Sequence, residues 1–178
     1  MQIVGVAGMR GSGRHTLARA LAANRRWTVV DCAALLQTEA RKRGLTGTPA
    51  ECAAISAQWR EQEGDDALVQ HAIEEFSINP EPTRKRGLIV LNIHRAAETD
   101  RIHALVGRQI WIEASPMVRA KRLGIEDPET IRTVPLELAE VSHRADVFCE
   151  NNGDDINRFR TSSARVLDAD ACCAIEFD

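Results

Sequence analysis

Gln2-Ile3-Val4-Gly5-Val6-Ala7-Gly8-Met9-Arg10-Gly11-Ser12-Gly13-Arg14-His15-Thr16-Leu17-Ala18-Arg19-Ala20-Leu21-Ala22 decides how the rest of the chain reads. An apolar run passes through Gly8, Gly11 and Gly13 into an Ala/Leu-rich stretch, which is the pattern of strand, glycine loop and helix. Gly8 and Gly13 have the spacing of the phosphate-loop pattern G-x-x-x-x-G-K-[ST]. Arg14 stands where that pattern has Lys, and His15 where it has Ser or Thr. Glycines let such a loop curl with its N–H groups inward as a nest for an anion, and the following helix aims its positive end at the same point. Arg14 keeps the charge in a larger, planar fork. His15 is a poor ligand for Mg²⁺, which prefers hard oxygen. Thr16 offers a hydroxyl one position late.

Outward from this stretch, strands alternate with helices. Ile3 to Ala7 is a buried strand, followed by a helix ending near Asn24. Trp27 to Val30 is a second strand closed by Asp31, and a helix runs from Cys32 to Arg43, where Gly44 stops it. Thr48-Pro49-Ala50-Glu51 is an N-cap, a first-turn proline and a capping-box glutamate, starting a helix to about Glu63. Asp65 is expected to cap a further helix through Phe76; residues 79 to 87 form a loop whose Arg84-Lys85-Arg86 is a solvated turn. Leu88 to Ile93 is a strand, Ala96 to Val106 a helix and Gln109 to Ile112 a strand. Ser115-Pro116 starts a helix carrying Arg119 and Arg122, and the helical stretch from 129 to 142 is interrupted by Pro135. Ala145 to Glu150 is a last strand, and Asp154 or Asp155 caps a final helix to about Leu167. The Cys172-Cys173 tail has no assigned role.

The alternation predicts an α/β fold: three layers around a central, mainly parallel five-stranded sheet. The ligand site falls outside the carboxyl ends of the strands, near Gly8 to Gly13, Asp31, Asn92 to Arg95 and Glu113 to Ser115. At 178 residues the chain reads as a single domain, residues 1–178. The net charge of −3 gives no broad attraction to nucleic acid. Five cysteines without regular spacing suggest reduced thiols in a cytoplasmic protein. No apolar run is long enough for a membrane span, so no membrane partner is expected.

Several motifs together carry a resemblance: the glycine loop, Glu39-Ala40-Arg41-Lys42-Arg43-Gly44, Thr48-Pro49, and Glu61-x-Glu63-Gly64-Asp65-Asp66-Ala67. Ala114-Ser115-Pro116-x-x-Arg119 and Ala145-Asp146-x-x-x-x-Asn151-x-Gly153 complete the set. In their order and spacing, over about residues 2 to 165, the chain resembles archaeal adenylate-kinase-like P-loop ATPases of the nucleoside monophosphate kinase-like family. The last motif is also similar to one in deoxynucleoside monophosphate and dephospho-coenzyme A kinases. The resemblance implies a P-loop kinase-like fold with a helical acceptor-side region at about residues 32–78 and a small helical lid at about 116–142. It implies ATP as cofactor, with or without Mg²⁺, on the loop Gly8, Gly11, Ser12, Gly13, Arg14, His15 and Thr16. Arg119 and Arg122 would be lid arginines beside the transferring phosphoryl group, and Arg95 would reach the acceptor phosphate.

Four places depart from the family pattern. Besides Arg14 and His15, Ala33, Ala34 and Gln37 replace the acceptor motif after strand two, and Asn92 replaces an Asp that helps to hold Mg²⁺. Asp31 is the obvious carboxylate left near the site and is the candidate base or metal ligand. Phosphoryl transfer depends on positioning and charge neutralisation. One preorganised contact is often worth ~3 kcal/mol, so losing several should weaken catalysis more than binding. The expected function is a nucleotide- or phosphate-binding protein whose transfer chemistry is weakened or lost. One rival is an active kinase with an altered site, taking a deoxynucleotide or a coenzyme A precursor; another is a non-catalytic interaction protein. A homo-oligomer is compatible with either. A transition-metal site of His15, His94, Asp31 and Cys32 lacks a tight ligand spacing, so no metal ligands are assigned.

Overall fold

A computed structural model describes residues 2–78, 87–153, 155–163, 167 and 175–176. The Arg84-Lys85-Arg86 turn, Asp154 and the Cys172-Cys173 pair lie outside the described residues.

The elements alternate as the pattern requires: β1 (Gln2–Gly8), α1 (Arg14–Arg25), β2 (Thr28–Asp31), α2 (Cys32–Lys42), α3 (Pro49–Glu63), α4 (Ala67–Ile78), β3 (Gly87–Leu91) and α5 (Ala96–Ala104). There follow β4 (Arg108–Glu113), α6 (Pro116–Leu123), a 3₁₀ turn (Pro128–Ile131), α7 (Leu136–His143), β5 (Val147–Glu150), α8 (Ile156–Ser163) and the two-residue β6 (Ile175–Glu176). The sheet order is β2-β3-β1-β4-β5-β6. Every pairing is parallel, with Val4 opposite Ile89 of β3 and Val6 opposite Ile110 of β4. The expected five strands are present, and β6 extends the sheet by one short edge. Because β1 is central, its carboxyl end delivers the glycine loop to the middle of the sheet's upper rim.

Alternate side chains of β1 face opposite layers. Ile3 and Ala7 join a core with Leu36, Ile55, Trp59 and Leu68 from α2, α3 and α4. Val4 and Val6 join a second core with Leu17 and Leu21 of α1 and Phe159 of α8. Cys149 lies in that second core, where burial pushes its thiol up to about 12. Among the described residues, Cys32, Cys52 and Cys149 are free thiols, and no helix is long and apolar enough to cross a membrane.

Local signals set most boundaries. Thr48 Oγ1 accepts from the Glu51 N–H at 3.3 Å, and a Glu51 carboxylate oxygen accepts from the Thr48 N–H at 2.8 Å, completing the capping box. That second bond is the main cause holding the Glu51 carboxyl below its ordinary range. Ser115 caps α6, and the two halves of the 128–143 stretch part at Pro135 as its missing N–H demands. Several boundaries differ from expectation. β3 runs from Gly87 to Leu91 and stops short of Ile93 where Asn92 takes a left-handed φ of 68°, and β5 begins at Val147, not Ala145. Asp65 sits in a turn closed by the Ala67 N–H to the Gly64 carbonyl, so α4 starts at Ala67 and Asp65 faces Arg95 instead of capping. α5 stops at Ala104 because Val106 has a left-handed φ of 57°, which lets the Gly107 N–H return to the Ile102 carbonyl at 2.9 Å. On the α2–α4 side, Trp59 stacks on His71 with ring centroids 3.8 Å apart.

Candidate functional site

The loop between β1 and α1 is shaped by backbone. The Ser12 N–H closes a turn on the Met9 carbonyl at 3.1 Å. Gly8 and Gly13 have φ of 148° and 108°. A Cβ at Gly8 would overlap the Ile112 carbonyl oxygen, and one at Gly13 would overlap Asn151 Nδ2. Both positions therefore need glycine for conformation and for room. Gly13 is the N-cap of α1, where no side chain caps the helix and the first turn holds no acidic residue. The first N–H groups of α1 are left for an anion.

Two neighbours fasten this loop. Asn151, at the end of β5, donates through Nδ2 to the Ser12 carbonyl at 2.7 Å. Arg122 of α6 donates through Nη1 to the Gly11 carbonyl at 3.3 Å, and through Nη2 to Asn151 Oδ1 at 3.3 Å and to the Gly153 carbonyl at 2.8 Å. Ser12 is fully buried, with its hydroxyl lacking a partner among the described residues. Beside the loop lies a cavity of about 270 Å³ lined by Gly13, Thr16, Arg122, Asn151, Gly153, Ile156 and Phe159. Arg119, one turn earlier, is buried: Nε donates to the Ala114 carbonyl at 3.1 Å and Nη2 to the Ile131 carbonyl at 2.8 Å. Its guanidinium thereby ties α6 to the 3₁₀ turn, while its backbone packs against Gly11.

The carboxyl ends of β2 and β3 bring a polar cluster to the other side of the loop. Asp31 Oδ1 accepts from the Ala33 N–H at 2.9 Å, capping α2, and from Asn92 Nδ2 at 2.6 Å. Asp31 Oδ2 faces His15 Nε2 at 3.2 Å. Asn92 is held with φ of 68°, a conformation Asn tolerates better than most residues, and its N–H reaches the Val6 carbonyl at 3.2 Å. Burial lowers the Arg14 pKa, and nearby Asp31 offsets part of that fall. His94 is lowered by burial and next by the Arg14 charge, which keeps it neutral at pH 7. Cys32 turns inward to the Leu68 carbonyl.

Arg95 follows β3 and meets two acids, Glu137 of α7 at 3.1 Å and Asp65 at 3.9 Å. Behind it lies a pair that sequence reading missed. Glu98, fully buried, accepts through Oε2 from the His94 and Arg95 N–H groups at 2.7 and 3.1 Å. Its Oε1 meets Arg60 Nη2 of α3 at 3.0 Å. The available signal was a glutamate three residues into a helix, but Arg95 at the cap position hid it.

The cradle suits a phosphate group: it offers uncapped N–H groups and glycine-only space, with the Arg14 charge on its flank near Asp31 and His94. The strand ends do not suit Mg²⁺, the metal this fold family implies. An imidazole stands beside the loop in place of a hydroxyl, and the Asn92 amide points a donor at the remaining carboxylate.

Fold and loop together define an α/β P-loop protein of the kinase type. The chain belongs to the nucleoside monophosphate kinase-like P-loop family. It is 30% identical over 140 residues to a cytidylate kinase of Pyrobaculum arsenaticum, a match covering 79% of this chain and 68% of that protein. It is 30% identical over 125 residues to a UPF0200 protein of Methanothrix thermoacetophila, covering 69% of this chain and 65% of the relative. The chain thus spans just under two thirds of that relative's length. The crystal structure of shikimate kinase from Aquifex aeolicus shares the fold, with TM-score 0.59, 15% identity and coverage of 94% of this chain and 96% of that one. No protein-family profile matches the chain.

Proposed function

We propose that the protein binds a nucleotide through its phosphates on the loop Gly8, Gly11, Ser12, Gly13, Arg14, His15 and Thr16, and that phosphoryl transfer is weakened or lost. The observation that carries this reading is the uncapped N-terminus of α1 under a loop that only glycine can form. The anion cradle is main chain, so it survives replacement of the side chains around it. Arg14 supplies the positive charge beside it. The 270 Å³ cavity offers Phe159, Ile156 and the Arg122 guanidinium to a base. In this reading α2–α4 is the acceptor side and the segment from α6 to α7 the lid. Arg119 is committed to two carbonyls, and Arg95 to two acids, so neither is poised on a reacting phosphoryl group. ATP, when bound, would supply an activated phosphoryl group.

One observation favours the rival, an active kinase with an altered site. The Ala33 N–H and the Asn92 side-chain amide both bond to Asp31 Oδ1, which leaves Oδ2, facing His15, as the oxygen that could act as a base.

Thermal-shift titration with ATP, ADP, GTP and several monophosphates tests the binding, since a ligand held by the folded form alone raises Tm by mass action. Nucleotide should raise Tm, and Arg14→Ala should cut affinity at least about tenfold by removing a charge-assisted contact. An assay over (deoxy)nucleoside monophosphates and coenzyme A precursors tests the chemistry. Turnover of a few per second on any acceptor would replace this reading with the rival.

A further inference from the structure

The structure brings together two of the protein's metal-capable groups at the place where a P-loop kinase keeps its ion. We propose that His15 Nε2 and Asp31 Oδ2 are the protein's share of a divalent-metal site that selects an imidazole-accepting first-row transition ion over Mg²⁺. The proposal rests on the nucleotide-binding reading above, because the nucleotide supplies the other ligands.

Geometry comes first. The two donor atoms are 3.2 Å apart. With metal–ligand bonds of about 2.1 Å, adjacent ligands lie about 3.0 Å apart in an octahedron and about 3.4 Å apart in a tetrahedron. The observed spacing lies between those edges, so one ion can take both atoms without moving either residue far. Asp31 is also oriented as a one-oxygen ligand: Oδ1 is occupied by the Ala33 N–H and Asn92 Nδ2, which aims Oδ2 at His15. Hydrogen-bonded support of this kind fixes the direction of a metal-binding carboxylate.

Asn92 then has a physical reason. Its amide stands 2.6 Å from Asp31 Oδ1 and donates to it. A second carboxylate there would repel Asp31 unless a strongly charged ion lay between them. The carboxylate count falls to one while an imidazole is added, and both changes shift preference from hard-oxygen ions towards borderline ones. Of the four residues whose chemistry could have made a transition-metal site, Cys32 is turned into the core and His94 is not drawn into the pair. Among the described residues no cluster of three or more such groups exists, so two protein ligands are completed by phosphate oxygens and water. His15 is half-exposed and Asp31 partly so, which leaves the position open to both.

The test is calorimetric titration of the full chain with ATP alone, with Mg²⁺-ATP and with Co²⁺-ATP, repeated on His15→Ser. His15 lies on the surface of α1's first turn, so the variant should fold, and its melting curve checks that it does. In the wild type, Co²⁺ should raise nucleotide affinity about tenfold or more, and Mg²⁺ by less than about threefold. In His15→Ser the Co²⁺ advantage should vanish. The visible absorption of bound Co²⁺ should also change between wild type and variant, reporting loss of a nitrogen ligand. Equal responses to the two ions, or a Co²⁺ effect untouched by His15→Ser, would overturn the site. If no nucleotide binds in any form, the binding reading fails, and Co²⁺ alone then decides: a His15-dependent spectrum sustains the pair as a metal site, and its absence ends it.

Discussion

The two flanks of the glycine loop are held in different ways. On the α6–β5 flank the fastening is to main chain: Gly8 and Gly13 fit under a carbonyl and an amide, and Asn151 and Arg122 bond to carbonyls of the loop. On the α2–α4 flank side chains also pair with one another, with Arg60 on Glu98, Asn92 on Asp31 and Trp59 on His71, while Glu98 and Asp31 accept from backbone N–H groups as well. A scaffold held by backbone contacts is indifferent to which side chains project from it. Arg14 and His15 therefore stand on a loop whose path is set by its glycines and its carbonyl contacts. A scaffold held by named polar partners fails when one partner goes.

The largest break should come from Glu98→Ala, which leaves the partly buried Arg60 without its fully buried acid and removes the acceptor for two backbone N–H groups. Loss of about 3–5 kcal/mol in denaturant unfolding is expected, the usual cost of breaking a buried pair. Gly13→Ala attacks the other flank. The left-handed φ and the overlap with Asn151 should cost on the order of 3 kcal/mol and abolish nucleotide-induced stabilisation. If Gly13→Ala keeps ligand binding, the loop does not depend on its backbone and the contrast collapses. Thr48→Ala is smaller: removing the N-cap of α3 should cost about 1 kcal/mol without altering ligand affinity. Val106→Gly belongs to neither flank and gives a baseline. A β-branched residue at φ 57° and 95% exposed has nothing to lose but strain. Glycine there should stabilise by up to about 1 kcal/mol, read as a rise in Tm.

Much of the fold was legible because its signals are local. The Ile3 to Ala7 run, the Thr48-Pro49-Ala50-Glu51 cap and Ser115-Pro116 each state their own geometry within four or five residues. The strand order was not legible, since β1 lies between β3 and β4 through crossovers that no short window reports. The site followed the same division. The loop was readable from glycine spacing, whereas Glu98 meeting Arg60 across 38 residues, and Asn92 meeting Asp31 across 61, depend on the assembled sheet. Arg119 showed the limit of helical spacing. Lying three residues before Arg122 suggested a shared role, but packing turned its guanidinium onto the Ala114 and Ile131 carbonyls.

The indole–imidazole stack between α3 and α4 gives the molecule an optical gauge of its own. Trp27 lies in the core on the α1 side and Trp111 on β4, so neither rides on α3 or α4. Trp59 is different, because its neighbour rides on another helix. Any guest that slides α3 past α4 must change the quenching of that one indole, so occupancy of this flank can be followed by ultraviolet light alone, without a dye.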